Sequence, residues 1–397
     1  MTHSDSLLRT PTASLISKPA SYFPALTGLR AVAAYLVYLH HFNPFQTHSL
    51  ESNTLGYFCF AICRELHIGV TIFFCLSGFL IGHRYLNKVE LTGKWAFNYF
   101  RNRFARIYPA YFLLTVVTFL FCLHSPGSIY AGPYNVFTST RETLLIFGLN
   151  ASFLRGFSDT IKFTGVAQGW SLTVEETFYF CAPVILLLLS KSKRWLLLFL
   201  LIYPTLGIFS VLLFKHRPTL GTMDNYVFMW SYTFFGRCFE FLSGMLLAAL
   251  LQTLAGKKLQ SVFTWLGAIL IGACIIMLAS VSDYSADLPG GVFVYKKIFI
   301  NNLLLALAVI IFFYGLLMEN TWLRALLSSS PLQLLGKSSY IFYLIHVGFI
   351  EVWAKNDLHL SSVSKFILLN LIAIALYKFF EEPINGFLRK RLIYKRY

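Results

Sequence analysis

The sequence predicts an all-α, polytopic integral membrane protein, and three observations support this fold class. Of its 397 residues, 57% are hydrophobic and only 13% are charged, whereas about a quarter of residues are charged in soluble globular domains. The hydrophobic residues form ten runs, each long enough to cross about 30 Å of hydrocarbon as a helix. Lysine and arginine concentrate in alternate segments between those runs, as positive-inside topology requires.

The ten predicted spans are 25–42, 67–83, 107–123, 170–190, 195–214, 231–251, 262–280, 298–318, 338–354 and 365–381. A shorter run at 143–154 cannot cross a bilayer, so we expect an interfacial or re-entrant helix there. With the N-terminus in the cytoplasm, the segments on that side hold about twice as many Lys and Arg residues as the opposite segments. Both termini are therefore expected in the cytoplasm.

These spans divide the chain into three parts. We expect a cytoplasmic tail at 1–24 without a signal peptide, a transmembrane domain at 25–383 and a basic cytoplasmic tail at 384–397. The formal net charge of +16 is explained by topology, so no nucleic-acid partner is predicted. The seven cysteines form no C-x-x-C or Cys/His pattern, so the sequence predicts no metal site and no bound cofactor.

The first span carries charge at both ends. Arg30 and His41 are eleven residues apart, about three helical turns, so they lie within roughly 20° of one helix face and about 16 Å apart. His40 is turned by about 100° and is expected to meet lipid or a neighbouring helix. Asn43-Pro44 ends the helix, because proline lacks an amide donor and disfavours a helical residue before it.

Two further groups of polar residues lie inside or beside predicted spans. Arg103 and Arg106, at i and i+3, are either snorkelling anchors or a phosphate clamp, since guanidinium groups hold phosphates in fixed geometry. Ser171, Glu175 and Glu176 open the fourth span on the same predicted side as His41. A carboxylate beside an imidazole can orient a general base and stabilise its protonated form, so we expect one glutamate to pair with His41.

The sixth and ninth spans also contain polar side chains. Arg237 and Glu240, at i and i+3, predict an intramembrane ion pair. Tyr343 and His346 lie three residues apart on one helix face, where His346 is either a packing residue or part of a functional passage. Ionisable residues cost several kcal/mol inside a membrane, so they usually face the protein interior and have partners.

Seven motifs in order resemble the acyltransferase 3 family of bacterial membrane acyltransferases. They are L-T-G-L-R-A-V-A-A with the R-x10-H spacing, F-F-C-L-S-G-F-L-I-G, R-F-A-R-I-Y-P, W-S-L-T-V-E-E-T-F-Y, R-C-F-E-F-L-S-G, G-K-S-S-Y-I-F-Y-L-I-H and F-E-E-P. The resemblance implies ten transmembrane helices and transfer of an acyl group, commonly acetyl from cytoplasmic acetyl-CoA, to a hydroxyl of an extracytoplasmic glycan. It also implies a catalytic His41, donor contacts from Arg103 and Arg106, and an essential Arg30.

We therefore expect a multi-pass O-acyltransferase of the bacterial inner membrane, with acyl-CoA as co-substrate and a glycan such as lipopolysaccharide O-antigen as acceptor. His41 would act as general base or acyl carrier, and Ser171, Arg237, Glu240, Tyr343 and His346 would line the passage. The alternatives are a transporter or flippase of a lipid-linked sugar and a non-catalytic subunit of a glycan machine. No matched halves are evident in the sequence, which argues against a transporter or flippase. The clustered histidine and glutamates argue against a non-catalytic subunit.

Overall fold

The computed structural model describes residues 22–45, 55–124, 139–216, 220–253, 262–281 and 292–390. Within those ranges the chain is helical, with no β-strand. The α-helices are α1 Pro24–His41, α2 Leu55–Arg64, α3 Gly69–Tyr85, α4 Gly93–His124, α5 Thr140–Ala151, α6 Trp170–Lys191, α7 Trp195–Phe214, α8 Tyr226–Tyr232, α9 Phe234–Thr253, α10 Phe263–Val281, α11 Val292–Phe299, α12 Leu305–Met318, α13 Trp322–Leu327, α14 Ser330–Ile345, α15 Phe349–Asn356, α16 Ser362–Leu376 and α17 Glu382–Lys390.

Eight helical stretches of the described residues are long and apolar enough to cross a membrane, so the chain is a multi-pass membrane protein. They are Leu55–Tyr85, Gly93–His124, Ala167–Lys191, Trp195–Phe214, Tyr226–Thr253, Phe263–Val281, Val294–Met318 and Ser362–Arg389. The predicted number of ten is not confirmed, because α1 and α14 do not qualify. Helix α1 contains an arginine and ends in two histidines, and α14 has only 16 residues.

Helices α1 and α14 pack mainly against each other. The run predicted at 338–354 is broken at His346–Gly348, where the chain leaves α14 before α15 begins. Gly348 has φ 133°, a backbone angle that glycine adopts readily and other residues rarely do. The interruption places the end of α14 beside the end of α1, where the polar residues of both helices meet.

Other helix boundaries agree in part with those predicted from the sequence. Helix α1 ends at His41, just before Asn43-Pro44, as predicted. The short run at 143–154 does form a helix, α5. Helix α4 begins at Gly93 rather than near 107, so Arg103 and Arg106 lie within its length. The predicted boundary at 383 falls inside α17, and the predicted terminal tails lie largely outside the described residues.

Two glycines bring α3 and α9 into backbone contact. A Cβ atom at Gly78 would lie 2.0 Å from the Phe241 carbonyl oxygen, and one at Gly244 would lie 2.2 Å from the Cys75 carbonyl oxygen. No other residue fits at either position, since these distances are shorter than any real Cβ contact. This is the close approach that small residues allow between membrane helices.

Helix α10 is capped by a carboxylate from another part of the chain. The side chain of Glu319, which follows α12, accepts hydrogen bonds from the backbone N–H groups of Val262, Phe263 and Thr264 at 3.0, 2.7 and 2.9 Å. It also accepts one from the Thr264 hydroxyl at 2.6 Å. Burial raises the pKa of the Glu319 carboxyl, but these hydrogen bonds outweigh burial and hold the pKa below its usual range.

Replacing Glu319 by Ala is expected to lower the free energy of unfolding by about 0.5–2 kcal/mol, the usual value of a helix N-cap. Because the folded-state pKa is depressed, the carboxylate stabilises the fold above its unfolded pKa of about 4.3. That stabilisation is lost as pH falls through the folded pKa. Thermal unfolding in detergent measures the melting temperatures of wild type and variant. The difference between them should be smaller at acid pH than at pH 7. The exposed Glu90→Ala serves as control, and an equal effect there would contradict the capping role.

Candidate active site

Three adjacent cavities form a row through the protein. The arginine cavity, of about 330 Å³, is lined by Arg30, Arg106, Lys337, Glu381, Glu382, Asn385 and Arg389, among others. The central cavity, of about 80 Å³, is lined by Arg30, Ser77, Arg103, Arg106, Ser171, Glu175, Tyr179 and Tyr343, among others. The histidine cavity, of about 600 Å³, is lined by His40, His41, Arg64, Glu65, His67, Gln168, Trp170, Arg237, Lys297, Asn301, Asn302 and Tyr343, among others.

Shared residues connect the three cavities. Arg30 and Arg106 line both the arginine cavity and the central cavity. Val70 and Tyr343 line both the central cavity and the histidine cavity. The two ends of α1 therefore open onto different parts of one row, with Arg30 near one end and His41 at the other. This agrees with the prediction that the two residues share a helix face.

Three arginines line the central cavity together with aromatic side chains and the carboxylate of Glu175. The Arg103 guanidinium lies 5.9 Å from the Tyr85 ring centroid and 5.7 Å from that of Tyr179. Its Nε atom is buried without a hydrogen-bond partner, as is Nε of Arg30. Glu175 interacts electrostatically with Arg30. Guanidinium groups with unused donors facing a cavity can bind an anionic ligand.

The predicted pairing of a glutamate with His41 is wrong. The hydroxyls of Ser77 and Tyr179 both donate hydrogen bonds to the Glu175 carboxylate. Glu176 interacts electrostatically with Glu175 and Arg103. Among the described contacts neither glutamate reaches His41, whereas Glu175 interacts electrostatically with Arg30 of α1 and Glu176 with Arg103 of α4. Their carboxylates therefore set the charge around the arginines.

His41 lies in the last turn of α1 among other imidazoles. Its ring centroid is 4.9 Å from that of His40 and 5.2 Å from that of His346. The His41 side chain is exposed to the histidine cavity. An imidazole open to a cavity of this size can reach a substrate hydroxyl as a general base.

His40 was expected to meet lipid or a neighbouring helix, and only the second part is correct. Its Nδ1 atom lies 2.6 Å from the carbonyl oxygen of Arg64, the last residue of α2. Its ring centroid is 5.4 Å from that of His67. Because the segment from α2 to α3 packs over the end of α1, His40 lines the same cavity as His41.

Ser171, Tyr343 and His346 are brought together where the central and histidine cavities meet. The Ser171 and Tyr343 hydroxyl oxygens are 2.9 Å apart. His346 is fully buried, and its Nδ1 atom lies 2.7 Å from the Tyr343 carbonyl oxygen. All three were predicted to line a passage. Ser171 and Tyr343 do line the cavities, whereas the buried His346 lines neither of them.

The ion pair predicted between Arg237 and Glu240 is confirmed. Arg237 Nε and Nη2 donate to the two carboxylate oxygens at 2.7 and 2.6 Å. The same Nη2 donates to the Thr71 hydroxyl at 3.0 Å. The Glu240 side chain is fully buried, whereas Arg237 also lines the histidine cavity. Of the two residues predicted to line a passage, Arg237 thus forms part of the cavity wall and Glu240 does not.

Sequence reasoning missed several polar residues of the histidine cavity. His67 and Gln168 line it, and the Glu65 carboxylate is 3.0 Å from the Lys297 ammonium. Asn301 and Asn302 lie in a π-helical turn between α11 and α12. Adjacent asparagines inside an apolar run were a signal that could have identified this wall. In the described parts of the chain, no group of three His, Cys, Asp or Glu residues is arranged to hold a metal ion.

Comparison with known proteins gives a consistent result. The chain is 27% identical to the peptidoglycan O-acetyltransferase OatA of Listeria monocytogenes over 92% of its own length and 57% of the relative's. It is 26% identical to the putative peptidoglycan O-acetyltransferase YrhL of Bacillus subtilis, over 92% of this chain and 55% of the relative. A putative O-acetyltransferase of Staphylococcus aureus is 25% identical over 84% of this chain and 52% of its own.

The chain thus spans about half the length of the curated relatives that it matches. No solved structure matches it. The family model described as an acyltransferase domain matches residues 23–377, a region that contains α1 to α16 and every residue described around the central and histidine cavities. The chain therefore belongs to the acyltransferase 3 family.

Proposed function

We propose that the chain is an O-acyltransferase that transfers an acyl group, most simply acetyl, from cytoplasmic acyl-CoA to a hydroxyl of an extracytoplasmic glycan. The observation that carries the proposal is the row of cavities with guanidinium groups at one end and an exposed imidazole at the other. In a bacterial inner membrane, the arginine cavity would face the cytoplasm and the histidine cavity the opposite side. The names of the relatives make peptidoglycan the first acceptor to test, and lipopolysaccharide a second.

The arginine cavity has the chemistry of a polyanion site. Arg389 interacts electrostatically with three further arginines, Arg84, Arg103 and Arg106. Two buried donors that belong to residues of the cavity lining, Arg30 Nε and Arg389 Nε, have no hydrogen-bond partner among the described contacts. Clustered like charges and unsatisfied buried groups are both costly without a ligand. The phosphates of coenzyme A supply the negative charge that this cluster needs.

The reaction follows from the order of the cavities. Coenzyme A would lie in the arginine cavity with its thioester reaching through the central cavity, whose volume of about 80 Å³ suits a short acyl group. The acceptor hydroxyl would enter the histidine cavity and give its proton to His41 as its oxygen attacks the thioester carbon. The C–O bond forms, the C–S bond breaks, and the proton on His41 neutralises the departing thiolate. No net proton is gained or lost.

Membrane vesicles of defined sidedness provide the test. Acetyl-CoA labelled in its acetyl group is supplied at one face only, and peptidoglycan fragments or surface polysaccharide at the other. We expect labelled ester on the glycan only when the donor meets the face that bears Lys94, at the start of α4. Glycan that crosses the membrane without acquiring label would indicate a transporter, and transfer that does not depend on acyl-CoA would exclude this donor.

The two cavity-lining arginines of α4, Arg103 and Arg106, are expected to act on donor binding more than on the chemical step. A phosphate contact remote from the reacting carbon holds substrate and transition state alike, so its loss raises KM and leaves kcat nearly unchanged. Arg103→Lys should already raise the KM for acyl-CoA, because lysine keeps the charge but loses the planar guanidinium. Arg103→Ala and Arg106→Ala should raise it about tenfold or more, since a charged hydrogen bond contributes about 1.5–3 kcal/mol.

Initial-rate kinetics on purified enzyme in lipid nanodiscs measure both constants. Arg101→Ala, on the same helix but not among the cavity-lining residues, is the matched control. An unchanged KM for acyl-CoA in both alanine variants would exclude the donor-binding role of this arginine pair.

A further inference from the structure

The hydrogen bond of His346 fixes which of its ring nitrogens carries the proton. Nδ1 lies 2.7 Å from the Tyr343 carbonyl oxygen. A carbonyl oxygen only accepts hydrogen bonds, so Nδ1 must carry the hydrogen. In a neutral imidazole the other nitrogen is then an unprotonated acceptor. Nε2 of His346 is therefore a base or a hydrogen-bond acceptor.

That acceptor is buried and has no partner in the described structure. His346 is 0% exposed, and Nε2 makes no hydrogen bond. The rings around it belong to Tyr38, His41, Phe342 and Tyr343. An unsatisfied acceptor of this kind costs about 1–3 kcal/mol, so it calls for a donor among its neighbours.

Only one of those four neighbours has a donor that is free to serve. Phe342 has none. The Tyr38 hydroxyl donates to the Ser362 carbonyl oxygen at 3.4 Å, and the Tyr343 hydroxyl is paired with Ser171 at 2.9 Å. His41 is the nearest ring, with its centroid 5.2 Å away. Among the described contacts no hydrogen bond holds the His41 ring in place, so its N–H is available to Nε2.

We propose that His346 is the positioning residue of His41 and accepts a hydrogen bond from one ring nitrogen of His41. The other nitrogen of His41 is then unprotonated and faces the histidine cavity. This inference rests on the proposed function, in which His41 takes the proton of the acceptor hydroxyl. When His41 gains a proton on its cavity-facing nitrogen, its original N–H remains directed at His346, which stabilises the imidazolium until the gained proton passes to the thiolate. His346 thus has the role that the sequence had suggested for Glu175 or Glu176.

Substitution of His346 separates this role from simple packing. His346→Leu fills the space but removes the acceptor, whereas His346→Gln keeps an acceptor oxygen. We expect His346→Leu to lower kcat about 10- to 100-fold, as loss of a partner that fixes a histidine tautomer usually does, with the KM for acyl-CoA unchanged. His346→Gln should recover part of the loss. His83→Leu, which removes a histidine packed against Phe23 and Phe79 away from the histidine cavity, is the control and should keep wild-type kcat.

The double variant His41→Ala/His346→Leu completes the kinetic test. Residues that act as a unit are non-additive, so the double variant should be no slower than His41→Ala alone. Wild-type kcat in His346→Leu, or independent losses that multiply in the double variant, would overturn the positioning role while leaving the proposed function intact. Absence of glycan acylation by the wild-type enzyme would instead overturn the proposed function.

A spectroscopic measurement tests the same inference without turnover, and it applies even if His346→Leu does not insert stably. Nitrogen-15 NMR of histidine-labelled wild-type protein in lipid distinguishes protonated from unprotonated ring nitrogens. The His346 signals can be assigned from their loss in His346→Gln. We expect His346 to carry its proton on Nδ1 and His41 to respond to the His346→Gln substitution. A proton on Nε2 of His346, or an unperturbed His41, would overturn the proposal.

Discussion

His41→Ala is expected to lower glycan acylation about 100- to 10,000-fold, the range that a general base usually contributes. The reason is geometric: His41 exposes its ring to the largest cavity of the row, at the end opposite the arginines. The protein should still insert and accumulate, because the exposed ring of His41 supports little packing. The measurement is the yield of acylated glycan per unit of membrane-inserted protein, determined by mass spectrometry.

His40→Ala is the matched control for this prediction. His40 lines the same cavity, but its Nδ1 atom is engaged with the Arg64 carbonyl oxygen, so its role is to connect α1 with α2. His40→Ala should lower glycan acylation less than His41→Ala does. It should reduce the amount of folded protein as much as it reduces the acylation rate. A larger loss of rate from His40→Ala, or wild-type yield from His41→Ala, would mean that the base is a different residue.

Breaking the ion pair between Arg237 and Glu240 is expected to have the largest effect on stability. Removal of one member of a buried, doubly hydrogen-bonded pair leaves the other charge uncompensated, which typically costs about 3–5 kcal/mol. Arg237→Ala and Glu240→Ala should each lower the free energy of unfolding by about that amount. Thermal or denaturant unfolding in detergent, with the amount of membrane-inserted protein as a second readout, measures the change.

The double variant Arg237→Met/Glu240→Leu provides the decisive comparison. Replacing both charges with apolar groups leaves no unpaired ion, so it should be less destabilised than either single alanine variant. If the double variant lost as much stability as the sum of the single variants, the two charges would be acting independently, contrary to their hydrogen-bonded geometry.

The fold was predictable where a membrane-spanning helix consists of one uninterrupted apolar run. Helices such as α7 and α10 show the apolar runs directly. Helices α1 and α14 were harder, because their polar residues face each other and the cavities, so their hydropathy underestimates how deeply they are buried. The break at Gly348 was not predictable from hydropathy, since it depends on how α14 and α15 pack rather than on the apolar content of the run.

Site residues were predictable where the interaction is local in sequence. The pairing of Arg237 with Glu240 follows from their i,i+3 spacing alone. The imidazole beside His41 belongs to His346, which directly follows α14, and only the tertiary packing of α1 on α14 brings the two histidines together. Helical-face geometry gave the correct direction for Arg30 and His41. It could not locate the contact of Glu175 with Ser77, which depends on how α3 packs against α6, whereas the contact with Tyr179 is within one turn of α6.

The small central cavity of the row affects whether protons and ions can leak through the protein. A continuous file of water from one side of a membrane to the other would discharge the proton and ion gradients that the membrane maintains. Here the central cavity is the smallest of the three, with a volume of about 80 Å³, and it is lined by Arg30, Arg103 and Arg106. Fixed positive charge at a constriction repels protons and metal cations. The arginines that we propose to hold the donor would therefore also prevent protons and metal cations from leaking through the protein, while an acyl group can still pass.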